Sequence, residues 1–302
     1  MPTFKFVTCD VFTDKRFGGN QLAVFPHAAG IDPALYQPIA REFNFSETTF
    51  VLPPKDKTNT RHVKIWTPGG ELQFAGHPTV GTAVVLASIG DIKLTGEETK
   101  IVLEEGVGPV PVTIRARKGT PDFAELTAAK LPEFNAGPRA DDLARALNLE
   151  PGDVLSGEFF PESASCGTPF MMVPLRNRAA LARARVKLDV FEQVLKGFIT
   201  DKVFLFCREP ELPGSHFRAR MYAPSIGVAE DPATGSAAAG FGGYLAKRDT
   251  RTDGTLKWRV EQGFEMGRPS ILDIEVDKNA NAVTSVRVGG NAVLVTSGAL
   301  TI

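Results

Sequence analysis

The chain has 302 residues, 43% of them hydrophobic and 23% charged, with a net charge of −1. That balance argues against a nucleic-acid or anionic-membrane partner, and no apolar run reaches the roughly 18 residues that a membrane helix needs. Cys9, Cys166 and Cys207 are widely spaced and form neither a disulfide framework nor a CxxC metal pair. The opening MPTFKFVTCDVF lacks a signal-peptide layout. A cytoplasmic protein long enough for two domains is expected.

Residues 3–12 predict a strand, then a turn at Phe17-Gly18-Gly19-Asn20-Gln21 and a second apolar run at 22–25. Asp32-Pro33 opens a helix to about Phe43, with Asp as N-cap and Pro at the first position. The β-branched and aromatic stretch 48–52 reads as a strand, with Glu47 at its mouth. Residues 61–66 alternate, with Val63 and Ile65 on one face, and predict another strand. The stretch ELQFAGHPTVGTAVV at 71–85 then reads as a strand end, a Gly76 turn and a helix start. Residues 79–88 carry no charge, so this helix should be buried on most sides. Its N-terminus would offer unpaired N–H groups and a positive dipole end, a seat for a carboxylate or phosphate, with His77 at the lip.

Strands are expected at 100–103 and 110–116, and a domain boundary in the mixed-polarity stretch 122–138. The second half predicts a short helix at 141–147, strands at 154–160 and 169–174, and a helix at 188–198. Strands follow at 202–207 and 217–222, then a second Gly turn and helix at 231–247 and several strands in 257–302. Arg218 and Arg220 alternate with the apolar face and read as a solvated strand face, and Asp231 reads as a helix N-cap. Met171-Met172 reads as core.

The second Gly turn repeats the first. His77-Pro78-x-x-Gly81-Thr82-Ala83 matches Asp231-Pro232-x-x-Gly235-Ser236-Ala237, an offset of 231 − 77 = 154. Residues 46–52 parallel 200–206 at the same offset, and residues 19–24 loosely parallel 167–172. A duplicated α+β fold is expected, with each half a curved, mostly antiparallel β-barrel around a central helix. The halves are set at 1–125, with the last strand at about 285–302 a candidate to complete it, and at 126–284. The expected ligand site is the cleft between the halves, where both helix starts would converge.

The stretches DVFTDKRFGGNQLAVF, SETTFVL, FAGHPTVGTA, EDPATGSAAAG and EQGFEMGRPS resemble the phenazine biosynthesis-like PhzF family, within the diaminopimelate epimerase-like fold. The resemblance implies a cofactor-independent, metal-independent isomerase, often a homodimer, with Glu47 as the proton-shuttling acid and His77 and Asp231 as further catalytic groups. It implies substrate contacts from Asn20, Ser46, Gly76, Gly235, Ser236, Gln262 and Gly263. The chain has Asn20-Gln21 where the family often has Asn-Pro. Related racemases use two cysteines at these helix starts, and this chain has none there.

The expected chemistry is a proton shift at carbon of a small carboxylated substrate, cyclic or amino-acid-like. A single carboxyl serves if partial burial raises its pKa toward neutrality. Isomerisation of the phenazine-pathway dihydro-hydroxyanthranilate is one candidate reaction. The alternatives are a two-base racemase or epimerase using Glu47 with Asp231 or His77, and a non-catalytic protein that binds small carboxylates.

Overall fold

The computed structural model describes residues 1–302. In chain order the first stretch contains β1 (Thr3–Val11), β2 (Asn20–Phe25), α1 (Tyr36–Phe43), β3 (Glu47–Leu52), β4 (Arg61–Thr67) and β5 (Gly70–Leu72). Then come α2 (Gly76–Ser88), β6 (Glu98–Glu105), β7 (Gly108–Arg117) and β8 (Thr120–Thr127). The second stretch contains β9 (Glu133–Ala136), α3 (Ala140–Ala146), β10 (Glu162–Ser165), β11 (Pro169–Pro174), α4 (Arg178–Arg183) and α5 (Leu188–Leu195). It continues with β12 (Val203–Cys207), β13 (Phe217–Ala223), β14 (Val228–Asp231), α6 (Gly235–Ala246), β15 (Gly254–Gln262), β16 (Ser270–Asn279) and β17 (Ala282–Thr301). Two compact units result, one of Met1–Ala129 with Val288–Ile302 and one of Lys130–Arg287.

In the first unit the strands close on themselves. β1 pairs with β2 and β17; β2 pairs with β3, β3 with β4 and β4 with β6; β6 pairs with β7, β7 with β8 and β8 with β17. Closure leaves no open edge in this mixed barrel. Inside it lies α2, and 12 of its 13 residues are buried, as a helix without Asp, Glu, Lys or Arg and apolar on most sides requires. Thr49 of β3 and Thr82 of α2 share a buried hydroxyl contact at 2.9 Å. Gly81 lets the helix approach the wall: a Cβ there would stand 2.6 Å from Val11 Cγ2 and 2.7 Å from Leu22 Cδ2. Gly81→Val is therefore expected to cost about 1–3 kcal/mol of overpacking, read as a lowered urea midpoint at unchanged slope. Helix α1 lies on the other face of the sheet. There Phe25, Phe50 and Tyr36 stack, with ring centroids 5.2 Å apart for Phe25–Phe50 and 4.2 Å for Tyr36–Phe50.

The second unit repeats the connectivity step by step. Antiparallel β1–β2 is matched by β10–β11, parallel β2–β3 by β11–β12, and antiparallel β3–β4 by β12–β13. Parallel β4–β6 is matched by β13–β15 and antiparallel β6–β7 by β15–β16. Helix α6 takes the place of α2, and 11 of its 12 residues are buried, with Ser236 the exception. Lys278 is buried beneath the end of α6, and its Nζ donates to Ala246 O and Asp249 O, carbonyls that the helix leaves unpaired. Outside the sheet, α3, α4 and α5 bury Leu143, Leu181, Phe191 and Leu195 together.

Three expectations are corrected by the structure. The strand placed at 154–160 is absent; Val154 makes one isolated bridge to Leu175, and Gly157 and Pro161 flank irregular chain before β10. The two units divide between Ala129 and Lys130, inside the mixed-polarity stretch 122–138, with β8 before the division and β9 after it. Arg218 and Arg220 are not solvated, at 5% and 3% exposure. Arg220 donates to the carbonyls of Leu181 and Ala184 at the end of α4 and forms a two-point pair with Glu230. The third correction is the alignment of the repeat. Helix α2 begins at Gly76 and α6 at Gly235, an offset of 235 − 76 = 159, so Ser236 is the counterpart of His77. Asp231 ends β14 and lies before the helix, whose N-cap is Thr234. The added residues sit in the β13–β14 turn, which carries a 3-10 turn at Pro224–Ile226 where β4 and β5 are joined by Pro68-Gly69 alone.

Candidate active site

Parallel pairing puts the starts of β2 and β3 at one end of the first barrel, with Leu22 opposite Glu47. Asn20 opens β2 and Glu47 opens β3. The first turn of α2 comes to the same end. His77 Nε2 lies 3.1 Å from Glu47 Oε2, with the side chains 4% and 14% exposed. His77 Nδ1 lies 3.2 Å from Asn20 Nδ2. The Nε2–Oε2 approach is a close polar contact without hydrogen-bond alignment.

Burial pushes His77 down to about 3, against a smaller upward pull from a hydrogen bond with the Gln21 backbone. His77 is therefore neutral at physiological pH. It meets Glu47 as a neutral ring. Ser46 precedes Glu47 and is half-buried, and Gly76 is the first residue of α2.

The second unit assembles its own group. Asp231 Oδ2 accepts from Thr234 Oγ1 at 2.6 Å. The Gln262 amide reaches both residues: Nε2 donates to Asp231 O at 2.8 Å and to Thr234 Oγ1 at 3.0 Å, and Oε1 accepts from Thr234 N at 3.1 Å. Gln262 is fully buried, so its amide is spent on fixing Asp231 and the entry to α6. Gly263 follows with φ +77, and a Cβ there would meet Arg268 O at 2.4 Å and Pro232 O at 2.5 Å, so only glycine fits. Gly235 starts α6, and Ser236 is the one residue of that helix that is not buried.

Asn20, Glu47, His77 and Gly76 thus belong to one unit, and Asp231, Gly235, Ser236, Gln262 and Gly263 to the other. Sequence reasoning missed Thr79, Thr234 and Glu105. A signal was present, because Glu104-Glu105-Gly106 recurs as Glu261-Gln262-Gly263, an offset of 261 − 104 = 157. Both first glutamates clamp the backbone of an equivalent loop. Glu104 accepts from the N–H groups of Lys55 and Asp56, and Glu261 from those of Glu211 and Leu212.

The cysteines are all buried and none is at a helix start; burial pushes Cys166 up to about 12 and Cys207 to about 11. Such thiols are poor proton carriers at neutral pH. No group of three or more His, Cys, Asp or Glu side chains stands in metal-ligand geometry. No helix is long and apolar enough to cross a membrane.

Comparison with known proteins agrees with this architecture. The family model for phenazine biosynthesis-like proteins matches residues 9–298. An uncharacterized isomerase of Mesorhizobium japonicum is 39% identical over 99% of both chains. The trans-2,3-dihydro-3-hydroxyanthranilate isomerase of Pseudomonas fluorescens is 33% identical over 95% of this chain and 96% of its own. The crystal structure of a PhzF-family phenazine biosynthesis protein of Bacillus anthracis superposes with a TM-score of 0.88 at 27% identity, covering 100% of both chains. With its repeated strand connectivity, its two buried helices and relatives named isomerases along its whole length, the chain belongs to the phenazine biosynthesis-like (PhzF) family, has the diaminopimelate epimerase-like fold, and is an isomerase.

Proposed function

We propose that the protein moves a proton between carbons of a small carboxylated substrate, cyclic or amino-acid-like, with Glu47 as general base and then general acid. The observation that carries this is the 3.1 Å contact between Glu47 and a neutral His77. A carboxyl set beside a neutral imidazole in a largely water-excluded position can take a proton from one carbon and return it to the next. The unpaired N–H groups at the start of α2 supply the seat for the substrate carboxylate and for charge that develops beside it. In the second unit, Thr234 and Gln262 hold Asp231, and Ser236 is the one residue of α6 left unburied. The relative that isomerises trans-2,3-dihydro-3-hydroxyanthranilate makes that compound the first to test.

The test is incubation of the wild-type protein in deuterated water with a panel of cyclic and amino carboxylates, followed by NMR. Deuterium at a carbon together with a shifted double bond is the expected result. Deuterium at a stereocentre with loss of optical purity and no shifted double bond would replace this reading with a racemase. Ligand binding without any exchange would replace it with a binding protein.

A further inference from the structure

Glu105 ends β6 beneath the start of α2, and no step described above uses it. It is 6% exposed, and its Oε2 has no hydrogen-bond partner. Its Oε1 lies 2.5 Å from Thr79 Oγ1, and that hydroxyl lies 2.7 Å from Ala75 O. A hydroxyl carries one proton, and the Ala75 carbonyl can only accept. Both contacts are hydrogen bonds only if Thr79 donates to Ala75 and receives from Glu105. The Glu105 carboxyl must then carry a proton. Burial acts in the same direction and pushes Glu105 up to about 8, with Thr79 opposing.

The second unit makes the equivalent connection with an amide. The pairs Arg61–Leu103 and His62–Glu104 match Phe217–Val260 and Arg218–Glu261 in parallel register, so Glu105 and Gln262 hold the same place. Gln262 donates through Nε2 to Thr234 Oγ1 at the entry to α6, as a protonated Glu105 donates to Thr79. One unit fills the position with a side chain that is always neutral. The other fills it with one that is neutral only while protonated.

We propose that Glu105 is a positioning residue that works as a neutral carboxylic acid, tying the first turn of α2 so that His77 stays against Glu47, and that its ionisation releases the tie. Ala75 and Thr79 bracket His77, so the tie spans the residue it would hold. The proposal rests on the reading of Glu47 and His77 as the acid–base pair. Few charges compete. Helix α2 contributes His77 as its only titratable side chain, β4 contributes Arg61, His62 and Lys64, β5 contributes Glu71, the strand itself contributes Glu98, Lys100 and Glu104, and residues 108–112 of β7 contribute none.

The test is Glu105→Gln, for which Gln262 is the precedent within the fold. An acid whose pKa rises on folding destabilises the fold as pH climbs from its unfolded value, near 4.5, to its folded value, near 8. The variant's melting temperature should equal that of the wild type at pH 4.5, exceed it increasingly up to about pH 8, and keep a constant lead above that. Parallel melting curves would overturn the neutral state. Should the variant fold poorly, a carbon-13 titration of the wild-type glutamate carboxyls reads the same ionisation, and a Glu105 signal titrating near 4.5 overturns it equally. Wild-type turnover should fall about tenfold or more above pH 8, in kcat rather than KM, and the variant should lack that fall. A growing stability lead with the same alkaline limb in both proteins would overturn the positioning role. The stability arm does not depend on Glu47, so its outcome stands apart from that of the acid–base reading.

Discussion

Arg218→Met should unfold at markedly lower urea, with a loss of about 3–5 kcal/mol. The guanidinium lies 3.1 Å from Glu261 Oε2 and 3.0 Å from Glu265 Oε1, and it stacks 3.8 Å over the Phe264 ring. Glu261 is wholly buried. Removing the cation leaves that carboxylate with the N–H groups of Glu211 and Leu212 but no countercharge. Methionine keeps the aliphatic stem over Phe264, so the loss reports on the charge rather than on packing. The change should also loosen the turn at Phe264–Met266, directly after Gln262 and Gly263. Equilibrium denaturation checks this, and a loss below about 1 kcal/mol, the scale of a surface pair, would contradict it. The first unit builds its clamp without an arginine, since His62 takes the place opposite Glu104. Glu104 instead adds the Asn59 amide to its two backbone donors.

The parts of the fold that were legible in the sequence are those where one physical demand dominates. The uncharged run after Gly76 could only be a buried helix, and it is. The duplication was legible because two such helices occur half a chain apart. The pairing of residues between the copies was not. Both copies carry Pro-x-x-Gly, but Pro78 lies inside α2 whereas Pro232 lies before α6. Matching the prolines set His77 against Asp231, and the extra length of the β13–β14 turn moves its counterpart to Ser236. Arg218 and Arg220 illustrate a second limit. Alternation says which face a side chain takes, but not whether loops cover that face. Here the end of α4 covers Arg220 and the turn at Phe264–Met266 covers Arg218. Glu105 illustrates a third, because its neutrality follows from which hydroxyl proton goes where, and that is visible only in three dimensions.

Glu47→Gln is expected to lower proton transfer by about 10²–10⁴-fold while leaving the fold and ligand affinity close to those of the wild type. The amide matches the carboxylate in shape and keeps the 3.1 Å contact with His77 Nε2. It cannot take up and release a proton at neutral pH. The buried thiols offer no substitute, and His77, held down to about 3, is too weak a base to take over. The loss should therefore appear in kcat and kcat/KM alike, as for an interaction that acts only in the transition state. The most direct measurement is deuterium incorporation from deuterated water into the first compound that the wild type turns over, with binding of that compound followed in parallel by calorimetry. Exchange by the wild type, none by Glu47→Gln and binding by both is the predicted result. Equal exchange by the two proteins would contradict the assignment of Glu47 and with it the proposed mechanism.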